Sequence, residues 1–427
     1  MGVEMLRFPV ERGETALSLT GILLSSSRQP ASMNLATFET LLTPLGQSAI
    51  AAAAELNPTE ESFLTCLTRL QKHYPSGLAK AALETVTLRV RAKARSKFSR
   101  AEAMYFTREA LEQASGEMIS RYRAERYAGF ASVADLGCGI GGDTLGLAAH
   151  CGVAAVDADP LRLAMAAQNL AAYGYRERVT LIQDDVTRMQ LPTAEAFFFD
   201  PARRAGGRRK FSVRDYQPPL PIVKEWLTHT PAIGVKISPG VDLAELDGYD
   251  CEIEFISQAG ELKECALWFG PLKTASRRAT LLPARHTLTG RDAARRISTP
   301  LAYLYEPDPA ILRAGLVTTL AAQLDAYQLD ADIAYLTSDA PRPTPFARAF
   351  VIEESFPFRL KRLRERLRAL RVGRVTVKKR GSPLEPEELI HKLRLSAVSG
   401  PAEPGRVVFL THVRGEPYVL IGQPVKT

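Results

Sequence analysis

From about Asn34 to Tyr127 apolar side chains recur at helical spacing among Ala, Leu, Glu and Gln, with few β-branched runs, which predicts an all-α region. Its clearest helix follows Thr107, whose hydroxyl suits an N-cap, with Glu109 in the first turn. Leu111, Ala114, Met118, Ile119 and Tyr122 would share one buried face of it. Near Ala131 the period changes. Short apolar runs, SVADLGCG, VAAVDAD, VTLIQDD, AEAFFFDP and AIGVKISPG, alternate with amphipathic stretches, and EIEFIS and ECALWFG follow. Such alternation predicts βαβ units and a doubly wound, Rossmann-like α/β sheet. QAGELK joins the last two runs and is short enough for a hairpin, placing an antiparallel strand at or near the sheet edge.

A polar, Arg-rich connection spans about 283–298. Beyond it LAYLYEP, DIAYLTS and ARAFVIEE read as strands, and PAILRAGLVTTLAAQL as a helix opened by proline. APRPTPF is a stiff loop. The helix PFRLKRLRERLRALR, the strand RVTVKKRG, the helix EPEELIHKLRL and the strands RVVFLTHV and PYVLIGQ complete an α+β tail. The expected division is 1–127 (all-α), 128–285 (the sheet), 286–350 and 351–427 (two small α+β units). A length of 427 residues accommodates several domains at roughly 150 residues each.

Composition narrows the partners rather than the fold. Lys and Arg number 55 against 47 Asp and Glu, a net charge of +8 that favours polyanions. Apolar residues at 46% and charged residues at 24% exclude a disordered or membrane-spanning chain, and no apolar run reaches the roughly 18 residues that cross a bilayer. Cys66, Cys138, Cys151, Cys251 and Cys265 form no CxxC pattern, so they read as reduced thiols of a cytoplasmic protein. The histidines lack ligand spacing, and no metal is expected. The amino terminus lacks the basic region of a signal peptide, and nothing points to a protein partner.

The sharpest chemical signal is VADLGCGIGGD, residues 133–143. A buried strand runs into Gly137, Gly139 and Gly141, where the backbone can turn tightly and approach a ligand. Three acids then end successive strands, where ligands bind in open α/β sheets: Asp157, Asp185 and Asp200. Asp157 can accept from a ribose diol and Asp185 can face an adenine amine, with Asp159 and Asp184 as the alternatives at these two places. A dinucleotide-binding oxidoreductase fits less well, because GxGxGGD puts an acid where a pyrophosphate needs bare amides.

At these residues the chain resembles the class I S-adenosylmethionine-dependent methyltransferases. More narrowly it resembles a bacterial family in which a helical leader and a seven-stranded methyltransferase sheet precede a ferredoxin-like unit and a THUMP-like domain. RAKARSKF, YFTREALEQAS, DLGCGIGGD, VDADP, FFFDPARR, VKISPGVD, GELKECALWFG, YLYEPDPAILRAGL and VTVKKRG carry the likeness along nearly the whole chain. The resemblance implies S-adenosylmethionine as cofactor. It places Asp135, Gly137, Gly139 and Gly141 around the methionine part, Asp157 at the ribose and Asp185 at the adenine. Asp200 in DPARR is similar to the acid of DPPY-type nitrogen methyltransferases, though the second proline and the stacking aromatic are missing. Asp200, Lys236 and Glu264 also resemble three members of the Lys-Asp-Lys-Glu set of ribose 2'-O-methyltransferases. For the missing first lysine the chain offers Arg121, Arg123 and Arg126, which could hold a phosphate.

Basic runs suggest where a polyanion would lie. Arg203, Arg204, Arg208, Arg209 and Lys210 follow Asp200 directly, and their place at the mouth of the site favours substrate phosphates. Arg89, Arg91, Lys93, Arg95, Lys97 and Arg100 lie at mixed spacing and read equally as a solvated face or an RNA face. From Arg359 to Arg380 eleven basic residues face one acid, ending in Lys378, Lys379 and Arg380, an RNA footprint on a THUMP-like tail. The expected activity is methyl transfer to a structured RNA, tRNA or rRNA, at a base nitrogen or a ribose 2'-oxygen. Protein or DNA methylation, and RNA binding with a vestigial cofactor pocket, are the alternatives.

Overall fold

The computed structural model describes residues 33–425 except 203, 206–207, 210–211, 291–292 and 396–404. Six helices open it: α1 (Leu35–Leu42), α2 (Pro44–Glu55), α3 (Phe63–Leu70), α4 (Ser76–Ala94), α5 (Arg108–Gln113) and α6 (Glu117–Ala124). Thr107 caps α5 as its sequence position predicts, accepting from Ala110 N at 3.1 Å. The single helix expected beyond it is two helices. Ala114 turns extended and Ser115 and Gly116, both weak helix formers, break the run. The break leaves Met118 exposed and turns Ser115 inward.

The central sheet holds β1 (Ser132–Leu136), β2 (Gly152–Asp157), β3 (Val179–Gln183) and β4 (Ala196–Phe199), with helices α7 (Thr144–Leu147) and α8 (Pro160–Ala172) as crossovers. A two-residue ladder, β5 (Arg204–Ala205) with β6 (Arg208–Arg209), and helix α9 (Ile222–Trp226) lead to β7 (Ile233–Ile237). Then come β8 (Cys251–Gln258), β9 (Glu261–Phe269), β10 (Arg277–Leu282) and β11 (His286–Gly290). The order is β11-β10-β8-β9-β7-β4-β1-β2-β3. Seven of these strands, β8 to β3 in that order, are the sheet the sequence predicts.

Two differences stand out. The antiparallel strand β9 lies between β7 and β8, next to the end of the seven expected strands, but the two further strands β10 and β11 put it inside the full sheet. In addition, β10 joins β8 in parallel and β11 closes the edge, so the sheet continues past residue 285 into the stretch read as a connection. In β11 only Leu288 is buried, so its apolar signal is one residue long.

The face alternation of a strand sorts AFFF of β4 into two cores. Phe198 packs with the N-terminal helices on one side, while Phe197 and Phe199 pack with α9 and the tail on the other. Both faces are covered, as a mainly parallel sheet requires.

The tail contains β12 (Tyr303–Pro307), α10 (Pro309–Arg313), α11 (Val317–Leu324), β13 (Tyr327–Gln328), β14 (Leu336–Ser338), β15 (Ala347–Pro357), α12 (Leu360–Ala369), β16 (Val375–Lys379), α13 (Pro386–Leu393), β17 (Arg406–Val413) and β18 (Glu416–Pro424). These strands form one sheet, β13-β14-β12-β15-β18-β17-β16. The expected boundary at 350/351 falls inside β15, which pairs with β12 on one side and β18 on the other. Helix α10 docks on the central layer, where Arg313 Nε donates to Pro239 O at 3.0 Å.

Candidate active site

Strand β1 ends in a loop whose Gly137, Gly139 and Gly141 all have positive φ, +87°, +56° and +84°. Side chains are strained there, which explains the glycines. Gly137 N and Cys138 N both donate to Val156 O at 2.9 Å, tying the loop to β2. A Cβ on Gly139 would meet nothing within 4 Å, because that face opens into a cavity. The cavity is about 210 Å³, lined by the loop, Asp143, Arg162, Asp200, Pro201 and the segment Glu112–Ala114. Cys138 also lines it, but burial pushes its thiol well above the usual range, so it is no ready nucleophile.

The expected cofactor acids divide. Asp135 is fully enclosed beneath the loop and accepts from Thr144 Oγ1 at 2.5 Å, while its Oδ1 has no partner. Burial, then the neighbouring charge of Asp143, pushes its carboxyl up to about 8. Asp157 accepts from Gly139 N at 2.8 Å and Asp159 N at 2.9 Å, so it clamps the loop and keeps further lone pairs. Asp159 caps α8 through Leu161 N and Arg162 N. Asp185 stands at the exit of β3, its carboxyl held below the ordinary range by the backbone and hydroxyl of Thr187. Asp184 accepts from Asp185 N.

Asp200, Lys236 and Glu264 converge. Lys236 Nζ lies 2.5 Å from Asp200 Oδ2 and 3.9 Å from Asp143 Oδ2. Arg123, from α6, pairs with Asp143 and sets its Nε 2.5 Å from Glu264 Oε1. Ser115 ties in by accepting from Arg123 at 2.8 Å and donating to Glu264 at 3.3 Å. Burial alone would raise Asp143, but Arg123 and Lys236 outweigh it and hold the carboxyl below its usual range. Burial raises Glu264 against the pull of Arg123. Two cations thus face three carboxylates, Asp143, Asp200 and Glu264. Of the three, Asp143 and Asp200 line the glycine-loop cavity.

Sequence reasoning missed Asp143 and Arg123 as partners and misassigned the arginines before β1. Arg123 is enclosed and Arg126 is held by Glu252 and Glu254, so neither is free for a phosphate, while Arg121 sits 2.7 Å from Glu117 with half of its side chain exposed. The one local signal was the acid closing GIGGD.

The basic runs also divide. Arg203 and Lys210 lie outside the described residues, as do the side chains of Arg204, Arg208 and Arg209. In the tail, Lys378 pairs with Glu306 and Lys379 with Glu385, each at 2.5 Å, and Arg380 stacks on Tyr335. Lys378 and Arg380 line a cavity between the two sheets, not the glycine-loop cavity. In the leader, Arg89 and Arg100 spend donors on the carbonyls of Met104 and Ala172. Lys97 bonds the carbonyl of Leu111.

A doubly wound sheet whose glycine loop opens a cavity at the strand ends defines an α/β enzyme with a nucleotide-type cofactor. Residues 131–215 match the RNA cap guanine-N2 methyltransferase family, 347–424 a THUMP domain-like family, and 34–92 a domain of unknown function. An S-adenosylmethionine-dependent methyltransferase from Mycobacterium tuberculosis is 38% identical over 299 residues, covering 68% of this chain and 81% of its own. Trimethylguanosine synthase from Schizosaccharomyces pombe is 31% identical over 129 residues, 27% of this chain and 54% of that one. A methyltransferase structure from Porphyromonas gingivalis W83 shares the fold at TM-score 0.72 and 23% identity, over 89% of this chain and 99% of that one. The chain belongs to the S-adenosylmethionine-dependent methyltransferases. Its cofactor is S-adenosylmethionine, and the open face at Gly139 together with the carboxylates of Asp143 and Asp200 on the cavity wall fit that cation.

Proposed function

We propose that this enzyme methylates a base nitrogen of a structured RNA, with Asp200 facing the acceptor amine. The observation that carries the reading is Asp200 itself: it follows β4 directly on the wall of the cofactor cavity, ahead of Pro201, with Lys236 behind it. When bound, the cofactor supplies a methyl group on a sulfonium for in-line displacement. Asp135 and the glycine loop would flank its methionine part, Asp157 its ribose and Asp185 its adenine.

Asp200 would accept an N–H of the exocyclic amine and orient its lone pair towards the methyl carbon. The same carboxylate stabilises the positive charge that grows on nitrogen as the bond forms. Lys236 is held by two carboxylates, so its task is to fix Asp200 rather than to remove a proton. That occupancy favours a base nitrogen over a ribose 2'-oxygen. The family match at 131–215, the trimethylguanosine synthase likeness and the THUMP-like tail support RNA as substrate.

The test supplies the purified protein with labelled methyl donor and total RNA from a strain lacking the gene, then identifies the labelled nucleoside. Label on an exocyclic base nitrogen is expected. Label confined to ribose, or to ribonuclease-resistant material, overturns the reading. Asp200→Ala should lower turnover at least 100-fold while cofactor affinity stays within about threefold.

A further inference from the structure

A second cavity, about 530 Å³, lies behind the segment Glu112–Ala114 that walls the cofactor cavity. Its floor carries Lys236 and Glu264, and its far side carries Arg95, Ser96 and Lys97. Any ligand in it would sit one short peptide segment away from the cofactor, with the Lys236–Asp200 pair reaching between the two spaces.

Its charges are unequal once pairs are matched. Glu264 is compensated by Arg123, Lys236 by Asp200, and Lys263 by Glu261 at 2.5 Å. Glu112 faces Arg91 at 3.8 Å. Arg95 and Lys97 make no ion pair among the described residues. Lys97 is half-buried, and among the described residues its ammonium donates to the carbonyl of Leu111, a neutral acceptor. Burial, then the like charges of Lys236 and Arg95, pushes it down to about 8 against the weaker pull of Glu112 and Asp143. This is a cation short of an anion.

The backbone holds the pair in place. Ser96 sits in the left-handed region at φ +49°, so the chain leaving α4 turns back and Lys97 N donates to Ala92 O at 3.0 Å. Lys97 O then accepts Glu117 N at 2.9 Å and anchors the start of α6. A non-glycine residue is strained in this conformation and persists where the surroundings fix it.

We propose that this cavity binds a phosphate of the acceptor, adjacent to the nucleotide that is methylated, with Lys97 and Arg95 as its cations. The proposal rests on the RNA reading above and deepens it by naming the contact that would set the acceptor's register. The phosphate would take the ammonium from the Leu111 carbonyl and restore its full charge.

Inorganic sulfate is the probe, since it remains a dianion from pH 6 to pH 10 while lysine titrates. Calorimetry on the full chain should show sulfate affinity falling about tenfold between pH 7 and pH 9, as a cation with a value of about 8 is lost. Lys97→Arg should bind sulfate with no such fall, and Lys97→Met at least tenfold more weakly at pH 7. Equal melting temperatures and cofactor affinities establish that both variants fold.

Sulfate affinity indifferent to Lys97→Met overturns the site. So does a Lys97→Arg protein that keeps its affinity for total RNA but loses methyl transfer, because arginine can hold a phosphate but cannot act as a base. Lys97-dependent sulfate binding without labelling of RNA supports the anion site and sinks the RNA reading alone. Labelling of RNA with no Lys97 dependence does the reverse.

Discussion

Arg123 is almost fully enclosed, and it is charge-paired to Asp143 and Glu264 on two different elements. Removing one partner of a buried pair leaves charges without compensation, so Arg123→Leu should destabilise the protein by about 3–5 kcal/mol in urea unfolding. A loss under about 1 kcal/mol would show that water reaches the cluster. Asp135 gives a pH test. Its folded value of about 8 lies above its ordinary one, so its contribution is complete at low pH and is lost as pH rises towards 8. Asp135→Asn should therefore become relatively more stable than the parent as pH climbs from 5 to 8, by on the order of 1 kcal/mol per unit. Parallel stability profiles would refute the raised value. At this scale the glycines and strand-end acids were legible, because tight turns and sheet ends restrict residue type locally. Arg123, Asp143 and Lys97 were not, since a side chain that meets its partner across the fold leaves no spacing in the chain.

Glycines on β7 and in the β1 loop should respond differently. On β7 a Cβ at Gly234 would lie 2.7 Å from Trp268 and against Tyr127, both fixed in the core. Gly234→Ala should cost about 1–3 kcal/mol by overpacking, read as a lower melting temperature. At Gly139 the same methyl enters open space, so Gly139→Ala should lose only about 1–2 kcal/mol to backbone strain, but should weaken cofactor binding at least tenfold. A Gly139→Ala protein with normal cofactor affinity would move the methionine group elsewhere. Strands β1, β2, β4 and β7 were legible as apolar runs because both faces are covered. Edge strand β11, with one buried residue, was not, and the break before α6 was hidden because Ser115 and Gly116 interrupt an otherwise intact apolar spacing.

At the scale of the whole chain, the leader contributes side chains to the charged cluster beside the glycine-loop cavity. Ser115 and Arg123 come from the helical region, Asp143 from the glycine loop, and Lys236 and Glu264 from the far half of the sheet. A chain beginning at residue 128 should fail to bind the cofactor, measured by calorimetry, even where circular dichroism still reports strands and helices. Cofactor binding by that shortened chain at the parent's affinity would make the leader an accessory. The order of domains was legible from changes of hydrophobic period. Their interdependence was not, because it resides in contacts between residues as far apart as Ser115 and Glu264, 149 positions. On the ribosome that separation becomes a delay. The glycine-loop Asp143 can meet Arg123 as soon as both have emerged, but its second cation, Lys236, follows only with β7, and Glu264, the other partner of Arg123, only with β9, so the charged cluster closes well after the loop itself is made.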